Sequence, residues 1–174
     1  MKIIGSMRAQ GQGRGVVRVE DVYDTSVDDL WEACTSPDRL ARWIAVVSGD
    51  PVVGGEVHAV FTSTWSGPVR IDACDAPSHL LLTMEPGTDD ETQVEVWITA
   101  EGSRARLVVE ERGLPAGAMP AYGAGWQAHL EDLGRSMVVA GPVHADGWSE
   151  REPAAAWRGR WTELTPHYRD APLD

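Results

Sequence analysis

Two residues, His129 and Glu111, have side chains that could transfer protons inside the protein. His129 falls on a predicted long helix beside Trp126 and Leu130, where its ring could reach a pocket wall. An imidazole there could act as a general acid or base near neutral pH. The alternative is a histidine on the helix flank that bonds to solvent or backbone. A lone imidazole makes no catalytic constellation, which favours that alternative.

Glu111 belongs to a predicted strand in which it shares a face with Leu107 and Val109. A carboxyl group directed into an apolar cavity has a raised pKa, and it could serve as an acid or hold the polar head of a ligand. The alternative is that the strand has reached the rim of the sheet and Glu111 is solvated. Strand ends are usually exposed, which favours the solvated side chain.

Other patterns for catalysis or metal binding are missing from the sequence. The chain has five histidines, and no two stand three or four residues apart. It has no G-x-S-x-G motif, no P-loop and no Cys–His zinc spacing. We therefore predict no metal and no cofactor. The two cysteines, Cys34 and Cys74, are predicted to be free thiols of a reducing compartment.

The formal net charge of −12 over 174 residues repels phosphate backbones and anionic lipids. Nucleic acid is therefore not an expected partner. No apolar run reaches the about 18 residues of a membrane span, and the N-terminus is too polar for a signal peptide. The cytoplasm is the expected location.

Hydrophobic periodicity predicts an α+β protein. Residues 16–23 are predicted to form a strand, two short helices follow over 26–43, and residues 44–113 alternate with period two between turns. A long helix is predicted over 118–140, with Trp126 in its apolar stripe. An antiparallel sheet that curves around one helix leaves an apolar pocket between them.

Both termini are expected to lie outside this domain of residues 16–140. Residues 1–15 are rich in Gly and Gln and predict a flexible leader. Residues 141–174 carry a second helical stripe and predict a helical extension that docks on the domain or on a second copy, as a homodimer would. The members of that stripe are Trp157, Trp161, Leu164 and Tyr168.

The segments SVDDLWEACTSPDRLARW, VVGGEV and GWQAHLEDLG resemble the START/SRPBCC superfamily, in the bacterial group similar to the activator of the heat-shock-chaperone ATPase. The resemblance covers about residues 16–140. It implies a helix-grip fold, in which a curved antiparallel sheet of about six or seven strands holds the long C-terminal helix. Trp31 and Trp43 match the aromatic residues of the two short helices, and Met84 departs from the aromatic residue common in relatives.

The resemblance implies a small hydrophobic, lipid- or polyketide-like ligand between the sheet and the long helix. The expected lining residues are Trp43, Phe61, Trp65, Ile71, Met84, Trp126, His129 and Leu130. One alternative is a cyclase/aromatase- or hydrolase-like enzyme that uses His129 or Glu111. Another is a co-chaperone-like interaction module that uses the outer sheet around Trp97 or the tail helix.

Overall fold

The computed structural model describes residues 1–174. Eight strands form one antiparallel sheet: β1 (Gly5–Gly11), β2 (Arg14–Tyr23), β3 (Ala45–Ser48), β4 (Glu56–Phe61), β5 (Ser66–Asp75), β6 (His79–Met84), β7 (Thr92–Glu101) and β8 (Arg104–Pro115). Their order across the sheet is β1-β2-β8-β7-β6-β5-β4-β3. All neighbours except β2 and β8 are consecutive in the chain, so short turns make nearly every connection.

The first strand lies where the sequence predicts a flexible leader, and that prediction is wrong. β1 pairs with β2 from Gly5 opposite Val19 to Gly11 opposite Arg14. Gly11 and Gly13 adopt positive φ angles of 93° and 71°, so the glycines form a tight hairpin turn rather than a mobile segment. β1 raises the strand count above the expected six or seven.

A bulge in β5 changes which side chains face the interior. Opposite β6, Ile71 pairs with Leu82, whereas Ala73 pairs with Leu81, so one residue of β5 is extra. An extra residue inverts the alternation beyond it. Cys74 therefore faces inward, although strict alternation places it on the outer face.

The turn before β5 is also shifted from its predicted position. The sequence predicts a strand through Trp65 and a turn at Ser66–Pro68, but β4 ends at Phe61 and β5 begins at Ser66. Thr64 has a φ of 78°, and the amide of Phe61 donates to the Trp65 carbonyl at 2.7 Å. This hairpin places the Phe61 and Trp65 rings edge to face, with centroids 5.0 Å apart.

Two short helices cover one part of the inner sheet face. α1 (Val27–Thr35) is capped by Ser26, whose Oγ accepts from the Asp29 amide at 3.1 Å. α2 (Pro37–Leu40) follows at once. Beyond it, the indole Nε1 of Trp43 donates to the Ala33 carbonyl at 3.0 Å and holds the two helices together.

The long helix α3 (Met119–Val139) crosses the sheet beside β1 and β2. Its side chains Leu130 and Leu133 are fully buried. The hydroxyl of Tyr23 in β2 donates to the Leu130 carbonyl at 2.9 Å. This buried bond fixes α3 against the sheet.

The last helix, α4 (Ala155–Arg169), packs on α3 of the same chain. Arg160 donates to both carboxylate oxygens of Glu131, at 2.7 and 2.9 Å. The Tyr168 hydroxyl donates to the side-chain oxygen of Gln127 at 2.8 Å. Ser149 and Glu152 have the spacing of a capping box, but Ser149 caps a turn, because the helix begins six residues later.

The outer face of the sheet is charged. Trp97, around which an interaction module would use the outer sheet, lies with its ring centroid 6.0 Å from the guanidinium of Arg18. Nearby, Glu110 pairs with Arg8 at 3.1 Å and with Arg112 at 3.2 Å. No helix of the fold is long and apolar enough to cross a membrane.

Candidate functional site

Two cavities lie on the inner side of the sheet. The first, which we call the sheet cavity, has a volume of about 270 Å³. It lies between the inner face of β3–β8 and the helices α1 and α2, and 21 of its 24 lining residues are hydrophobic. Trp43 closes it on the α2 side, and Trp126 of α3 reaches it from the other. The sheet cavity therefore suits an apolar molecule.

The second cavity, which we call the tail cavity, has a volume of about 430 Å³. Its walls come from the β4–β5 turn, from β6 and β8, from α3 and from α4 with the segment before it. Trp157 and Trp161 of α4 stack with ring centroids 6.0 Å apart. The C-terminal extension is thus part of the wall of this cavity.

The expected lining residues divide between the two cavities. Trp43 and Ile71 line the sheet cavity, and Trp65 and His129 line the tail cavity. Three residues line both: Phe61, Met84 and Trp126. Leu130 lines neither, because its side chain is fully buried in the packing of α3.

Glu111 is buried, and the interpretation of a solvated carboxylate at the rim is wrong. β8 continues to Pro115, and the side chain of Glu111 is only 5% exposed. Its Oε1 accepts from the Thr92 hydroxyl at 2.7 Å, and its Oε2 accepts from the Trp126 indole at 2.7 Å. Burial raises the pKa of Glu111, and these two hydrogen bonds oppose the rise only in part.

His129 is also buried in the tail cavity, and its hydrogen-bond partner is a side chain of the sheet region rather than the backbone. It is 4% exposed, and its Nδ1 lies 3.3 Å from the Thr62 hydroxyl. The rings of Trp126 and Trp157 surround it, with centroids 5.9 and 5.2 Å away. Burial lowers the pKa of His129 to about 3, so the ring is neutral at pH 7.

Several groups of the cavities were missed by the sequence analysis. Thr92 and Thr62 are the hydrogen-bond partners of Glu111 and His129, but an isolated threonine carries no sequence signal. The helical stripe of Trp157 and Trp161 predicts a tail that could cover a pocket entrance, and in the structure both residues line the tail cavity. Cys74 reaches the sheet cavity because of the bulge, which periodicity could not predict.

The chemistry available in the tail cavity is hydrogen bonding and proton transfer. A buried carboxyl group and a neutral imidazole line one space, with Trp126 in contact with both. No group of three His, Cys, Asp or Glu side chains is arranged to hold a metal ion.

An antiparallel sheet that holds a long helix defines a helix-grip protein. The chain belongs to the family described as activator of Hsp90 ATPase homolog 1-like protein (AHSA1), whose model matches residues 24–137, within the START/SRPBCC superfamily. No curated protein matches the sequence.

Solved structures share the fold. DynU16, a protein of the dynemicin biosynthetic locus, is 25% identical with a TM-score of 0.68, over 73% of this chain and 48% of its own. This chain thus spans about half the length of DynU16. CalU16 from Micromonospora echinospora is 23% identical with a TM-score of 0.71, over 96% and 93% of the two chains. EF2215 from Enterococcus faecalis is 15% identical with a TM-score of 0.67, over 95% and 88%.

Proposed function

We propose that this protein binds a small hydrophobic molecule of the lipid or polyketide type in the sheet cavity. The main support for this proposal is the composition of the cavity wall, in which 21 of 24 residues are hydrophobic. Transfer of an apolar ligand from water into this space of about 270 Å³ is favourable, because apolar surface of both the ligand and the wall is removed from water. Met84 and Leu82 on its floor are flexible side chains that adapt to an irregular ligand.

Native mass spectrometry of the protein purified from its own host tests this proposal. We expect a co-purifying small molecule, or a mass shift when a panel of fatty acids and polyketide mimics is added. The same spectrum reports whether the chain is a monomer or the homodimer that the tail could form. No bound molecule and no shift with the panel would contradict the proposal.

A pair of matched variants locates the binding. Ala59→Leu adds bulk to a residue that lines the sheet cavity and should abolish binding of the panel. Ala73→Leu makes the same change at a residue that lines neither cavity and should leave binding intact. Equal binding by the two folded variants would place the ligand elsewhere.

An enzyme of the cyclase/aromatase or hydrolase kind is the second candidate. The observation that favours it is the presence of buried Glu111 and buried His129 in one cavity. In such an enzyme the neutral imidazole accepts a proton while the carboxylic acid donates one. Turnover of a nitrophenyl ester series should then require His129. Equal rates for wild type and His129→Gln would exclude this role.

We also infer a cytoplasmic location, which the two free thiols support. Fractionation of the host cells tests it directly. Recovery of the protein outside the cytoplasmic fraction would contradict this location.

A further inference from the structure

The tail cavity contains a carboxyl group whose protein partners are both neutral. Glu111 accepts from the Thr92 hydroxyl and the Trp126 indole, each at 2.7 Å. Each carboxylate oxygen has two lone pairs that can accept hydrogen bonds, and each of these oxygens accepts only one hydrogen bond from the protein. A buried carboxylate is normally paired with a cation, and here the chain supplies none within hydrogen-bond distance.

The other titratable groups of this cavity do not supply the missing charge. His129 is neutral at pH 7, because burial lowers its pKa to about 3. Arg158 also lines the cavity, but it is exposed, so solvent and salt screen its guanidinium. The buried end of the cavity therefore offers a hydrogen-bond acceptor without a positive charge.

The walls of the cavity favour a cation with an aromatic body. Trp126, Trp157 and Trp161 present indole rings, and the stacked pair of α4 is inclined by only 13°. The faces of such rings carry negative potential and attract cations. The net charge of −12 attracts cations to the protein as a whole.

One further polar atom of this wall has no partner. Trp157 is 6% exposed, and its indole Nε1 donates to no atom of the protein. Buried donors are nearly always satisfied in folded proteins. This N–H is itself buried, so it belongs to the packing around α4 and is not a contact for a ligand in the cavity.

We propose that the tail cavity is a separate site for an aromatic amine, whose ammonium group donates to Glu111 while its rings pack among the tryptophans. The volume of about 430 Å³ accommodates two or more fused rings. The ligand is of a different class from that of the sheet cavity, with which this site shares Phe61, Met84 and Trp126, and its binding needs no catalytic step.

Calorimetric titration of the full chain with three probes of one shape tests the proposal. The probes are naphthylmethylamine, naphthylmethanol and naphthoate, which are cationic, neutral and anionic at pH 7. We expect the amine to bind about ten-fold more tightly than the alcohol, because a hydrogen bond to a charged group is stronger than a neutral one. Tightest binding of naphthoate would show that Arg158 selects an anion and would overturn the proposal. Equal affinity of amine and alcohol, or no heat from any probe, would also overturn it.

Matched glutamine variants locate the charge that recognises the amine. Glu111→Gln should remove the preference for the amine and leave the affinity for the alcohol within about two-fold. Glu110→Gln removes the same charge from the neighbouring residue on the outer face and should keep the preference. An unchanged preference in folded Glu111→Gln contradicts the assignment.

A spectroscopic measurement on the wild-type chain covers the case in which Glu111→Gln does not fold. The indole N–H signal of Trp126 is assigned by its loss from the spectrum of Trp126→Phe. Saturation with the amine should shift this signal, because its acceptor Glu111 gains a second donor. A signal that does not move at saturation would overturn the proposal.

Discussion

The indole Nε1 of Trp126 donates to the carboxylate Oε2 of Glu111 at 2.7 Å, and this bond joins α3 to β8 inside the tail cavity. Both side chains are buried. The bond fixes the ring of Trp126 where it separates the tail cavity from the sheet cavity, since this ring lines both.

Glu111 should make the folded state less stable as the pH rises. The pKa of Glu111 is raised in the folded state, chiefly by burial. Its contribution to the free energy of unfolding is therefore fully present below the pKa of the unfolded chain and is lost as the pH rises through the pKa of the folded state. This pH dependence is measured by urea unfolding of wild type and Glu111→Gln between about pH 4 and pH 8. That range begins near the ordinary pKa of a glutamate and extends above it. The stability of wild type relative to the variant should decline with pH.

Glu110 is the matched control, with the opposite sign. Burial favours its neutral form, but hydrogen bonds from Arg8 and Arg112 lower its pKa below the usual value. Its contribution is therefore present above the unfolded pKa and is lost as the pH falls. For each variant, the difference in the free energy of unfolding from wild type is plotted against pH. The same slope for Glu110→Gln and Glu111→Gln would refute the assignment of Glu111 as a buried acid without a cationic partner.

His129 should destabilise the folded protein in mild acid. Burial is the main cause of its pKa of about 3, so the unfolded chain takes up a proton below its ordinary pKa while the folded chain does not. The free energy of unfolding should fall by about 2 kcal/mol more in wild type than in His129→Gln between about pH 7 and pH 5. Exposed His58 provides the control, and His58→Gln should follow wild type. Parallel curves for wild type and His129→Gln would contradict a neutral buried ring.

Gly123 should be required for the docking of α4. A Cβ at this position would lie 2.5 Å from Cδ1 of the Tyr168 ring. Gly123→Ala should therefore destabilise the protein by about 1–3 kcal/mol in urea unfolding, despite the better helix propensity of Ala. At Gly159 a Cβ meets no atom within 4 Å, so Gly159→Ala should be neutral or stabilise by up to about 1 kcal/mol. A stable Gly123→Ala protein would mean that α4 does not pack as described.

The two thiols should differ in reactivity. Cys34 is half-buried and should be unreactive, because desolvation raises its pKa to about 12, whereas Cys74 is exposed. Titration with a disulfide reagent at pH 8 should modify one thiol of the native chain, and Cys74→Ser should remove that phase. A ligand in the sheet cavity should slow the reaction, since Cys74 lines that cavity. Rapid modification of both thiols would contradict the burial of Cys34.

The sequence identified the helix-grip architecture well because its signals are local. The first of the two short helices predicted over 26–43 begins after Ser26, a residue type that caps helices, and the apolar stripe through Trp126, Leu130 and Leu133 belongs to one helix, as its spacing indicates. Helix caps and periodicity act over a few residues, so a single sequence reports them directly. Strand periodicity predicted the wrong face for Cys74, because the bulge in β5 adds one residue and turns this side chain inward.

The sequence by itself determined the class of fold, the acidic surface and the apolar faces that must meet. The tertiary structure decided that β1 completes the sheet, that α4 forms a wall of the tail cavity, and that Glu111 is buried beneath Trp126. Each of these depends on groups distant in the chain, such as Gln127 and Tyr168, whose positions differ by 41. Periodicity shows which face of an element is apolar, but only long-range packing determines which partner covers that face and which polar groups are enclosed with it.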